Sequence, residues 1–481
     1  MEDKFRLNIP RLQVLSCDRL EQIHLSTLEV LRRTGVAVKD PRAVGIFKEG
    51  GCFVDGDRVR IPPHLVEAAL KNLPPRICLC DRSGAPALFL EKNNVYFGTG
   101  SDTPNIIDPY AGERRQAVLN DIVNVSKIVD ACDEMSFLMC SGIAADVNPA
   151  VSDLYHFEAM VNNTEKPIIF TAWSLENLKA IVNMAETVAG GEDILRNSPF
   201  IALYTEPISP LQLAEESTQK IMYMAEKRLP VVYTPCLITG AIGPVTLAGG
   251  IVQANAEMLA GYVLANLITE GSPFIYGGGV GPMDMGTGVW SYASPEFMLA
   301  TAALADMSKF YQIPVFSFAG CSDAKTYDQQ ASLEGSLWIL MVSLFGGNLV
   351  HDVGYVESGL TTSYEQLVVS NEVAGMVRRI IGGFEISEET LALDLIHSVG
   401  PGGEYLTSEH TLKHFKKNWF PGLISRSPYE KWEQQGKKDL GQRANEKIRE
   451  ILENHVPKPL DGKLRDELTR IVSSLDTRRQ R

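Results

Sequence analysis

The sequence lacks long apolar runs, an excess of basic residues and a signal-peptide start. Its apolar stretches are interrupted by glycine, proline or charge before the roughly 20 residues that a membrane-spanning helix needs. The 45 lysines and arginines are outnumbered by 59 aspartates and glutamates, for a formal charge of −14, so the basic footprint of a nucleic-acid binder is missing. The first six residues are charged and lead to Pro10, unlike a secretory signal. We therefore expect a cytoplasmic protein that binds neither nucleic acid nor membrane.

Cysteine is scarce and poorly spaced for metal binding. Among the eight cysteines the one close pair is Cys78 and Cys80, whereas zinc sites more often have two to four intervening residues and a second pair. His410 and His414 have helical metal spacing beside Glu409, but no third ligand is evident, which favours a solvated helix face. We expect reduced, structural cysteines and no metal site. Also missing are a Gly-x-Ser-x-Gly elbow and a serine–histidine–aspartate set.

Eight short apolar runs, rich in β-branched and aromatic residues, alternate with stretches of helical composition. The runs are 95–98, 137–142, 167–173, 199–205, 230–236, 273–279, 313–320 and 348–355. The clearest helical stretches are 117–132, 211–228 and 247–269. Runs that are apolar throughout are typical of parallel strands covered on both faces. Eight such units over about 270 residues predict an α/β fold, a (β/α)₈ TIM barrel, with a doubly wound open sheet as the alternative.

The rest of the chain divides around this barrel. We predict an N-terminal α+β layer at 1–92, with a helix over 18–34 and a hairpin over 52–61 that turns at Asp55 and Gly56. The barrel takes 93–384, and a C-terminal helical extension, charged and frayed at its end, takes 385–481. Aromatic residues in the extension, Trp419, Phe420 and Trp432, offer an interface, so we expect a homo-oligomer.

In such a barrel the active site lies at the C-terminal ends of the strands. These ends carry many aromatic residues and almost no lysine or arginine, which disfavours a phosphorylated substrate. The aromatic candidates are Tyr96, Trp173, Tyr204, Tyr276 and Tyr355. Rings attract a quaternary ammonium by roughly 0.5–2 kcal/mol per good contact, and Glu206 would add a neutralising charge. The competing interpretation is that about half of these rings point outward and pack against the helices.

Other strand-end residues complete the set of candidates. His351 and Asp352 are neighbours after the eighth run, and strand alternation predicts that only one of them faces the lumen. Asp102 and Asp323 both occur in Ser-Asp pairs, where they bind a ligand or cap a loop. The glycine-dense segment 275–288, which includes Gly278 and Gly279, fits no P-loop or Rossmann spacing. It offers either a backbone surface for a large flat ligand or a plain flexible loop.

Four blocks and an aromatic tail resemble the trimethylamine methyltransferase (MttB-like) family over nearly the whole chain. The blocks are 98–102 (GTGSD), 321–325 (CSDAK), 346–355 (GGNLVHDVGY) and 400–403 (GPGG), and the tail runs from 419 to 432. The resemblance implies a (β/α)₈ barrel that moves a methyl group from an amine to the cobalt of a separate corrinoid protein. Cobalamin would be presented by that partner, with no cofactor held tightly here.

The resemblance also bears on the substrate. The archaeal trimethylamine enzymes of the family carry pyrrolysine in the barrel, and this sequence contains only standard residues. The chain therefore looks like the non-pyrrolysine branch, whose members demethylate quaternary amines such as glycine betaine, proline betaine or carnitine. Loss of a methyl group from a quaternary nitrogen leaves a neutral amine, so neither a general acid nor zinc is needed. Positioning and desolvation would then be the tasks of the protein.

The resulting hypothesis assigns a role to each candidate. The trimethylammonium lies among the five aromatic candidates with Glu206 nearby, and His351 holds a substrate carboxylate. Asp323 joins Glu206 and His351 as a catalytic candidate, whereas Asp102, Gly278 and Gly279 contact the corrinoid. Two other functions stay open at this point: a non-catalytic binding protein for quaternary amines, and a zinc-dependent corrinoid methyltransferase for alcohols.

Overall fold

The computed structural model describes residues 10–74 and 76–479. The charged start of the chain, on which the prediction of no signal peptide depends, lies outside the described residues. So do the last two residues of the tail that was expected to fray.

Eight parallel strands form a ring. They are Tyr96–Gly98, Met135–Phe137, Ile168–Phe170, Ile201–Thr205, Val231–Tyr233, Phe274–Gly277, Val315–Phe318 and Leu349–His351, which we number as barrel strands one to eight. The eighth strand pairs with the first, and a bridge between Leu138 and Ile168 joins the second strand to the third. The predicted barrel is confirmed, and the open-sheet alternative is wrong because the strands return to their starting point.

A helix follows each barrel strand. In order these helices are Leu119–Ala131, Ser152–Asn163, Leu175–Ala189, Glu215–Lys227, Leu247–Ile268, Pro295–Tyr311, Gln329–Phe345 and Tyr364–Ile381, with an extra short helix at Glu192–Asn197. Four of the eight begin at a serine or aspartate whose side chain accepts a backbone N–H of the first turn: Ser174, Ser294, Asp328 and Ser363. The strands are short and almost fully buried because helices cover them on the outside and side chains fill the ring.

The N-terminal residues form a layer against the barrel. Its helices are Cys17–Glu29, which ends in a π-helical turn at Val30–Thr34, then Pro41–Glu49 and Pro63–Lys71. The predicted hairpin is present as Phe53–Asp55 and Arg58–Arg60, with Gly56 and Asp57 as its two loop residues. Strand Val36–Val38 pairs with Gln212–Leu213, which follows the fourth barrel strand.

A second hairpin, Ile77–Cys80 with Pro86–Leu90, closes the bottom of the barrel. Its inward residues share one apolar cluster with buried side chains from seven barrel strands, among them Ile169, Val232 and Phe316. The lumen is therefore filled at the N-terminal ends of the strands, and any site must lie at the opposite end.

Short strands build a rim around that opposite end. Cys236–Thr239 pairs in parallel with Gly279–Pro282, extending the fifth and sixth barrel strands. A four-stranded sheet of Tyr355–Val356, Thr361–Thr362, Asn105–Ile107 and Arg114–Gln116 lies beside the first and eighth strands. The loops after the strands are thus held by hydrogen bonds.

The C-terminal extension is helical, as predicted. Its helices are Glu388–Leu391, Leu393–Val399, Glu409–His414, Tyr429–Gln434, Leu440–Asn454 and Gly462–Arg479. Division of the chain at residues 92 and 384 stays a prediction.

Helix Leu247–Ile268 is, among the described residues, the one helix long and apolar enough to cross a membrane. The sequence predicts no apolar stretch of that length. In the structure 72% of the most apolar part of this helix is buried inside the protein, and the side chains of Asn255 and Glu257 are fully buried and hydrogen-bonded. This is the environment of a core helix.

Candidate active site

Three carboxylates meet at the open end of the barrel. Asp102, Glu206 and Asp352 lie just beyond the first, fourth and eighth strands. They are close enough that Asp102 and Asp352 each help to raise the pKa of Glu206, although burial is the larger cause. Burial likewise raises the pKa of Asp102. Negative charges close together at a poorly solvated site raise the free energy of the folded protein unless a cation binds between them.

Glu206 is held by two neutral donors. The hydroxyl of Tyr204 donates to its Oε1, and the thiol of Cys236 donates to the same oxygen with Sγ 3.1 Å away. Burial raises the pKa of Tyr204 and of Cys236 well above their usual ranges, so both keep their protons. The carboxylate is fixed in place by donors that bring no positive charge to it.

Asp102 has a similar environment. Its Oδ1 accepts from the thiol of Cys140 at 3.4 Å and from the hydroxyl of Thr171 at 3.3 Å. Burial raises the pKa of Cys140 well above its usual range. A thiol and a hydroxyl, each from a neighbouring strand end, thus orient this carboxylate as they do Glu206.

Asp352 and His351 both face the site, which corrects the prediction that only one could. The eighth strand ends at His351, and Asp352 takes a left-handed backbone conformation with φ 68°, so the strand alternation stops there. Nδ1 of His351 lies 3.0 Å from Oδ1 of Asp352, and the hydroxyl of Tyr292 donates to Oδ2 of Asp352. Asp352 thus faces one nitrogen of the imidazole, and the role of His351 in holding a substrate carboxylate stays a prediction.

Aromatic rings form the floor beneath the carboxylates. The ring of His351 lies 4.1 Å and 4.2 Å, between centroids, from Phe316 and Phe318, and 6.1 Å from Tyr204. Tyr355 is 4% exposed, and its hydroxyl has no hydrogen-bond partner among the described residues. An added Cβ on Gly100 would lie 2.4 Å from this hydroxyl, so only glycine lets Tyr355 reach the site. A buried hydroxyl without a partner is costly and indicates a ligand contact.

A positive charge lies behind the wall of the site. Lys220, on the helix after the fourth strand, donates to the carbonyl of Ala172 and offsets a small part of the rise in the pKa of Asp102. Its own pKa is lowered by burial. The site therefore has a negative potential that is not neutralised from within.

Three of the five predicted cage aromatics lie elsewhere. Tyr96 packs in the lower cluster, where its hydroxyl accepts from the backbone N–H of Phe89, at the closed end of the barrel. Tyr276 points outward, donates to Asn255 and packs with its ring centroid 6.1 Å from Tyr311. Outward packing was the alternative considered for such residues, and a strand's alternation sends every second side chain there.

Trp173 also faces away from the lumen. Its indole Nε1 donates to Ser152 Oγ at 2.8 Å, and its backbone N–H donates to Asp153, both at the start of helix Ser152–Asn163, which precedes the third barrel strand. The strand ends at Phe170, three residues earlier, so the direction of Trp173 is set by these helix contacts. Of the predicted cage, Tyr204 and Tyr355 remain at the site.

Gly278 and Gly279 do not offer a free backbone surface. A Cβ on Gly278 would lie 3.1 Å from Pro235, and one on Gly279 would lie 2.9 Å from the indole of Trp290 and 3.1 Å from Phe318. Glycine is required at both positions because a Cβ would collide with the side chains that pack against the rim strand. Contact of these glycines with the corrinoid stays a prediction.

Asp323 organises loops, and the catalytic role predicted for it stays a prediction. Its carboxylate accepts from the backbone N–H groups of Tyr292 and Ala293 at 2.9 and 3.1 Å, and from the hydroxyls of Ser291 and Ser358. All of these donors belong to the protein, so Asp323 fixes the loop that carries Tyr292. The loop-capping interpretation of this aspartate applies.

Several residues of the site are not predicted from the sequence. Cys140, Cys236 and Tyr292 donate to the three carboxylates, yet the cysteines are expected to be structural and Tyr292 lies just beyond the glycine-dense segment 275–288. The two cysteines occur within the strand-end runs, which was an available signal. All eight cysteines are free, and five are buried; Cys17 is exposed.

No three histidine, cysteine, aspartate or glutamate side chains among residues 10–74 and 76–479 gather as a metal site. His414 Nε2 lies 3.1 Å from Glu389 Oε1, and His410 Nε2 lies 3.3 Å from the Glu389 backbone carbonyl, so both rings face protein oxygens. The predicted helix spanning these histidines is present.

The chain is similar to several known proteins over nearly its full length. The chain is 35% identical to the trimethylamine methyltransferase MttB of Desulfitobacterium hafniense strain DCB-2, covering 96% of this chain and 93% of the relative. It is 31% identical to a glycine betaine methyltransferase of D. hafniense strain Y51, covering 97% of each, and 34% identical to MttB of Methanosarcina thermophila, covering 95% and 96%. Among solved structures, the monomethylamine methyltransferase MtmB of Methanosarcina barkeri aligns over 92% of this chain and 96% of its own at 14% identity and a TM-score of 0.45.

A sequence model of the family described as trimethylamine methyltransferase (MTTB) matches residues 2–479, almost the entire chain. With a match of this extent and relatives above 30% identity over nearly their full lengths, the chain belongs to the trimethylamine methyltransferase (MTTB) family.

Proposed function

We propose that this methyltransferase takes a methyl group from a quaternary amine of the glycine betaine type and passes it to the cobalt of a corrinoid carried by a separate protein. The observation that carries the proposal is the set of three carboxylates, Asp102, Glu206 and Asp352, around one site whose hydrogen-bond donors are neutral. Such a site is costly when empty and is stabilised by a cation.

A quaternary ammonium matches the site better than a cation that needs hydrogen bonds. It has no N–H, so it is held by charge and by ring faces, which Glu206, Tyr204 and Tyr355 supply. One oxygen of each carboxylate, Oε1 of Glu206 and Oδ1 of Asp102, already accepts protein hydrogen bonds, and these bonds orient the two carboxylates. The neutral donors do not compete with the substrate for that charge.

The same residues support methyl transfer. A quaternary nitrogen bears its positive charge before reaction, so the amine that remains after loss of a methyl group is neutral and needs no proton. The reduced corrinoid supplies a strong nucleophile, and the chain must hold the N–CH₃ bond toward the open end of the barrel. The aromatic floor of Phe316, Phe318 and His351 keeps water from beneath the substrate.

Access for a partner is available at the mouth. Asp102, Glu206 and Cys236 are partly exposed although they lie at the ends of barrel strands, whereas Phe316 below them is 1% exposed. A corrinoid-bearing protein is therefore expected to approach from the rim, the one end of the barrel that the hairpin 77–90 does not fill.

A second candidate substrate is trimethylamine, because the chain is 35% identical to a trimethylamine methyltransferase. Protonated trimethylamine is also a cation and would donate its N–H to Glu206. Its demethylation requires that this proton stay on the nitrogen, because the unprotonated amine would have to leave as an amide anion, whereas a quaternary amine needs no proton. The site thus favours the amine whose charge is permanent.

The decisive experiment is a substrate panel with the purified chain and a reduced corrinoid protein. Glycine betaine, proline betaine, carnitine, γ-butyrobetaine and trimethylamine are each added, and consumption of reduced corrinoid and release of the demethylated amine are followed. Turnover of a quaternary amine is expected. Turnover of trimethylamine alone would contradict the quaternary assignment. Binding of betaines without turnover would identify a binding protein, and zinc-dependent turnover of methanol would identify an alcohol enzyme.

A further inference from the structure

Helix Leu247–Ile268 contains one charged side chain, Glu257, and it is fully buried. Its Oε2 accepts from the hydroxyl of Ser209 at 2.7 Å. Its Oε1 accepts from the backbone N–H of Leu211 at 2.8 Å and from the side-chain amide of Gln253 at 2.9 Å. All three donors are neutral, and burial raises the pKa of this carboxyl. A carboxylate buried among neutral donors is costly in a barrel helix, which indicates a role beyond packing.

Two of these donors belong to the loop that carries Glu206. Glu206 is the first residue beyond the fourth barrel strand. The loop is closed on itself, because the backbone N–H groups of Ile208 and Gln212 each donate to the other's carbonyl, at 2.9 and 3.0 Å. Pro207, whose ring fixes its φ, joins this closed turn to Glu206. A displacement of the turn would therefore move Glu206.

Leu211 is held in a strained conformation by two distant partners. Its φ is 56°, in the left-handed region, which is uncommon for residues other than glycine and persists only where the surroundings enforce it. Its N–H donates to Glu257, and its carbonyl accepts from the backbone N–H of Ala37 at 2.9 Å, on strand Val36–Val38 of the N-terminal layer. The loop is thus fixed from two sides.

The third donor connects Glu257 to the loop that carries Cys236. The side-chain amide of Gln253 also donates to the carbonyl of Ile242, at 3.1 Å. Ile242 lies in the turn after the rim strand that begins at Cys236, and backbone hydrogen bonds close this turn. The thiol of Cys236 is the donor to Glu206. Both partners of that hydrogen bond are therefore fixed by loops that converge on Glu257.

From this geometry we infer that Glu257 is a positioning residue of the active site, which holds the loops after the fourth and fifth strands so that Cys236 and Glu206 stay hydrogen-bonded and the Glu206 carboxylate faces the bound cation. It is not a catalytic residue, because its carboxylate contacts only the first of these loops and its own helix. The link to cation binding rests on the proposed function, whereas the link to Cys236 does not depend on it.

The first test follows the reactivity of Cys236 and needs no substrate. The full chain is treated with a methanethiosulfonate, and labelling of the Cys236 peptide is timed by mass spectrometry. In the wild type this thiol lies beside the Glu206 carboxylate, which helps to keep it protonated. Glu257→Ala is expected to be labelled about tenfold faster, since the released loops separate the thiol from its acidic neighbour. Equal labelling rates overturn the proposal.

Matched variants separate positioning from general damage to the fold. Asp306, on the helix after the sixth strand, is also a buried carboxylate, and it accepts the backbone N–H groups of Val14 and Leu15 at 2.8 and 3.0 Å. Asp306→Ala is expected to be labelled at the wild-type rate. Glu257→Gln keeps a side-chain oxygen for the loop and should restore slow labelling. If either variant is labelled as fast as Glu257→Ala, the proposal is overturned.

Ser209→Ala keeps the test decisive if circular dichroism shows that Glu257→Ala does not fold. It removes one hydrogen bond from the loop side and leaves helix Leu247–Ile268 intact. Labelling of Cys236 is expected to be about threefold faster, because the second bond to the loop remains. Ser343→Ala is the control, since that hydroxyl donates within its own helix. A rate in Ser209→Ala no higher than in the control overturns the proposal.

The second test measures binding of tetramethylammonium, the smallest quaternary ammonium, by calorimetry. Glu257→Ala and Glu206→Gln are each expected to bind it about tenfold more weakly than the wild type. The double variant should bind no more weakly than Glu206→Gln alone, because Glu257 acts through Glu206. Losses that multiply in the double variant overturn the proposal. A wild type that binds neither tetramethylammonium nor any betaine contradicts the proposed function, and the labelling rates still decide the role of Glu257.

Discussion

The carboxylate of Glu206 accepts a hydrogen bond from Cys236, with Sγ 3.1 Å from Oε1, across two adjacent barrel strands. Because burial raises the pKa of this thiol well above its usual range, the bond joins a neutral donor to an acid whose charge is left for another partner. The same arrangement recurs at Asp102 with Cys140. A site built this way binds a cation by charge and holds its carboxylates still while doing so.

Glu206→Gln removes one charge and keeps a hydrogen-bonding side chain of the same shape. We expect the affinity for glycine betaine, or for whichever quaternary amine turns over, to fall roughly tenfold to hundredfold, about 1.4–3 kcal/mol for a partly buried charge pair. Isothermal titration calorimetry measures the change. Glu215→Gln, an exposed glutamate on the next helix, is the control and should bind as the wild type does. Equal affinities in the two variants would rule out an electrostatic role for Glu206.

Binding should weaken as the pH falls. Burial raises the pKa of Glu206 and of Asp102, and the cation prefers their ionised forms, so protons must leave when it binds. Affinity is therefore expected to be higher at pH 8 than at pH 5.5. Calorimetry in two buffers of different ionisation enthalpy should show proton release, and Glu206→Gln should release fewer protons. An affinity that is constant across this range would show that neither carboxylate titrates on binding.

Tyr355→Phe separates function from stability. The hydroxyl is buried without a described partner, so its removal should leave the free energy of unfolding unchanged or raise it by about 1 kcal/mol. If the hydroxyl contacts the substrate, methyl transfer should fall about tenfold in the same variant, at roughly the cost of one lost hydrogen bond. Urea unfolding and the corrinoid assay give the two quantities. A variant that is destabilised and fully active would mean that the hydroxyl serves the fold.

Gly100→Ala tests the close approach at the first strand end. The added Cβ would lie 2.2 Å from Oδ1 of Asp352 and 2.3 Å from Cζ of Tyr355, so both must move and activity should be lost. Gly45→Ala is the control, since nothing lies within 4 Å of its Cβ on helix Pro41–Glu49. That control should be fully active and about 0.5–1 kcal/mol more stable. Normal activity of Gly100→Ala would mean that Asp352 and Tyr355 need not hold these positions.

His156 should make the protein acid-sensitive. It is 2% exposed, accepts from the backbone N–H of Ala144 at Nε2, and has its pKa lowered to about 4 by burial. The unfolded chain, with an ordinary histidine near 6.5, binds the proton first, so stability is lost as the pH falls below about 6.5. Between pH 7 and 5 the loss is about 2 kcal/mol.

His156→Gln keeps an acceptor for Ala144 and removes the titration, so urea unfolding at the two pH values should show a smaller difference than in the wild type. His64→Gln, at an exposed position, should retain the full difference. If both variants lose the same stability as the wild type on acidification, another group is responsible.

The hydrophobic pattern of the sequence determined the architecture, because few folds other than a barrel bury the apolar side chains of eight continuous apolar runs that alternate with helices. It also placed Tyr204, Glu206, Asp102, His351 and Tyr355 at the mouth, since parallel strands in a barrel end at one rim. The pattern does not determine the direction in which each aromatic ring points. Tyr96, Trp173 and Tyr276 occupy similar places in the sequence, yet their rings face the closed end of the barrel or the surrounding helices. Those directions depend on partners far along the chain, such as Asn255 for Tyr276.

The pairing of His351 with Asp352 likewise required the tertiary structure. Strand alternation assigns neighbouring residues to opposite faces, and it holds only while the backbone stays extended. The left-handed conformation of Asp352, supported by Tyr292 from another loop, turns its carboxylate to the same side as the imidazole. The order of residues thus specified the barrel and the chemistry available at its rim, and long-range contacts decided which of those groups share one site.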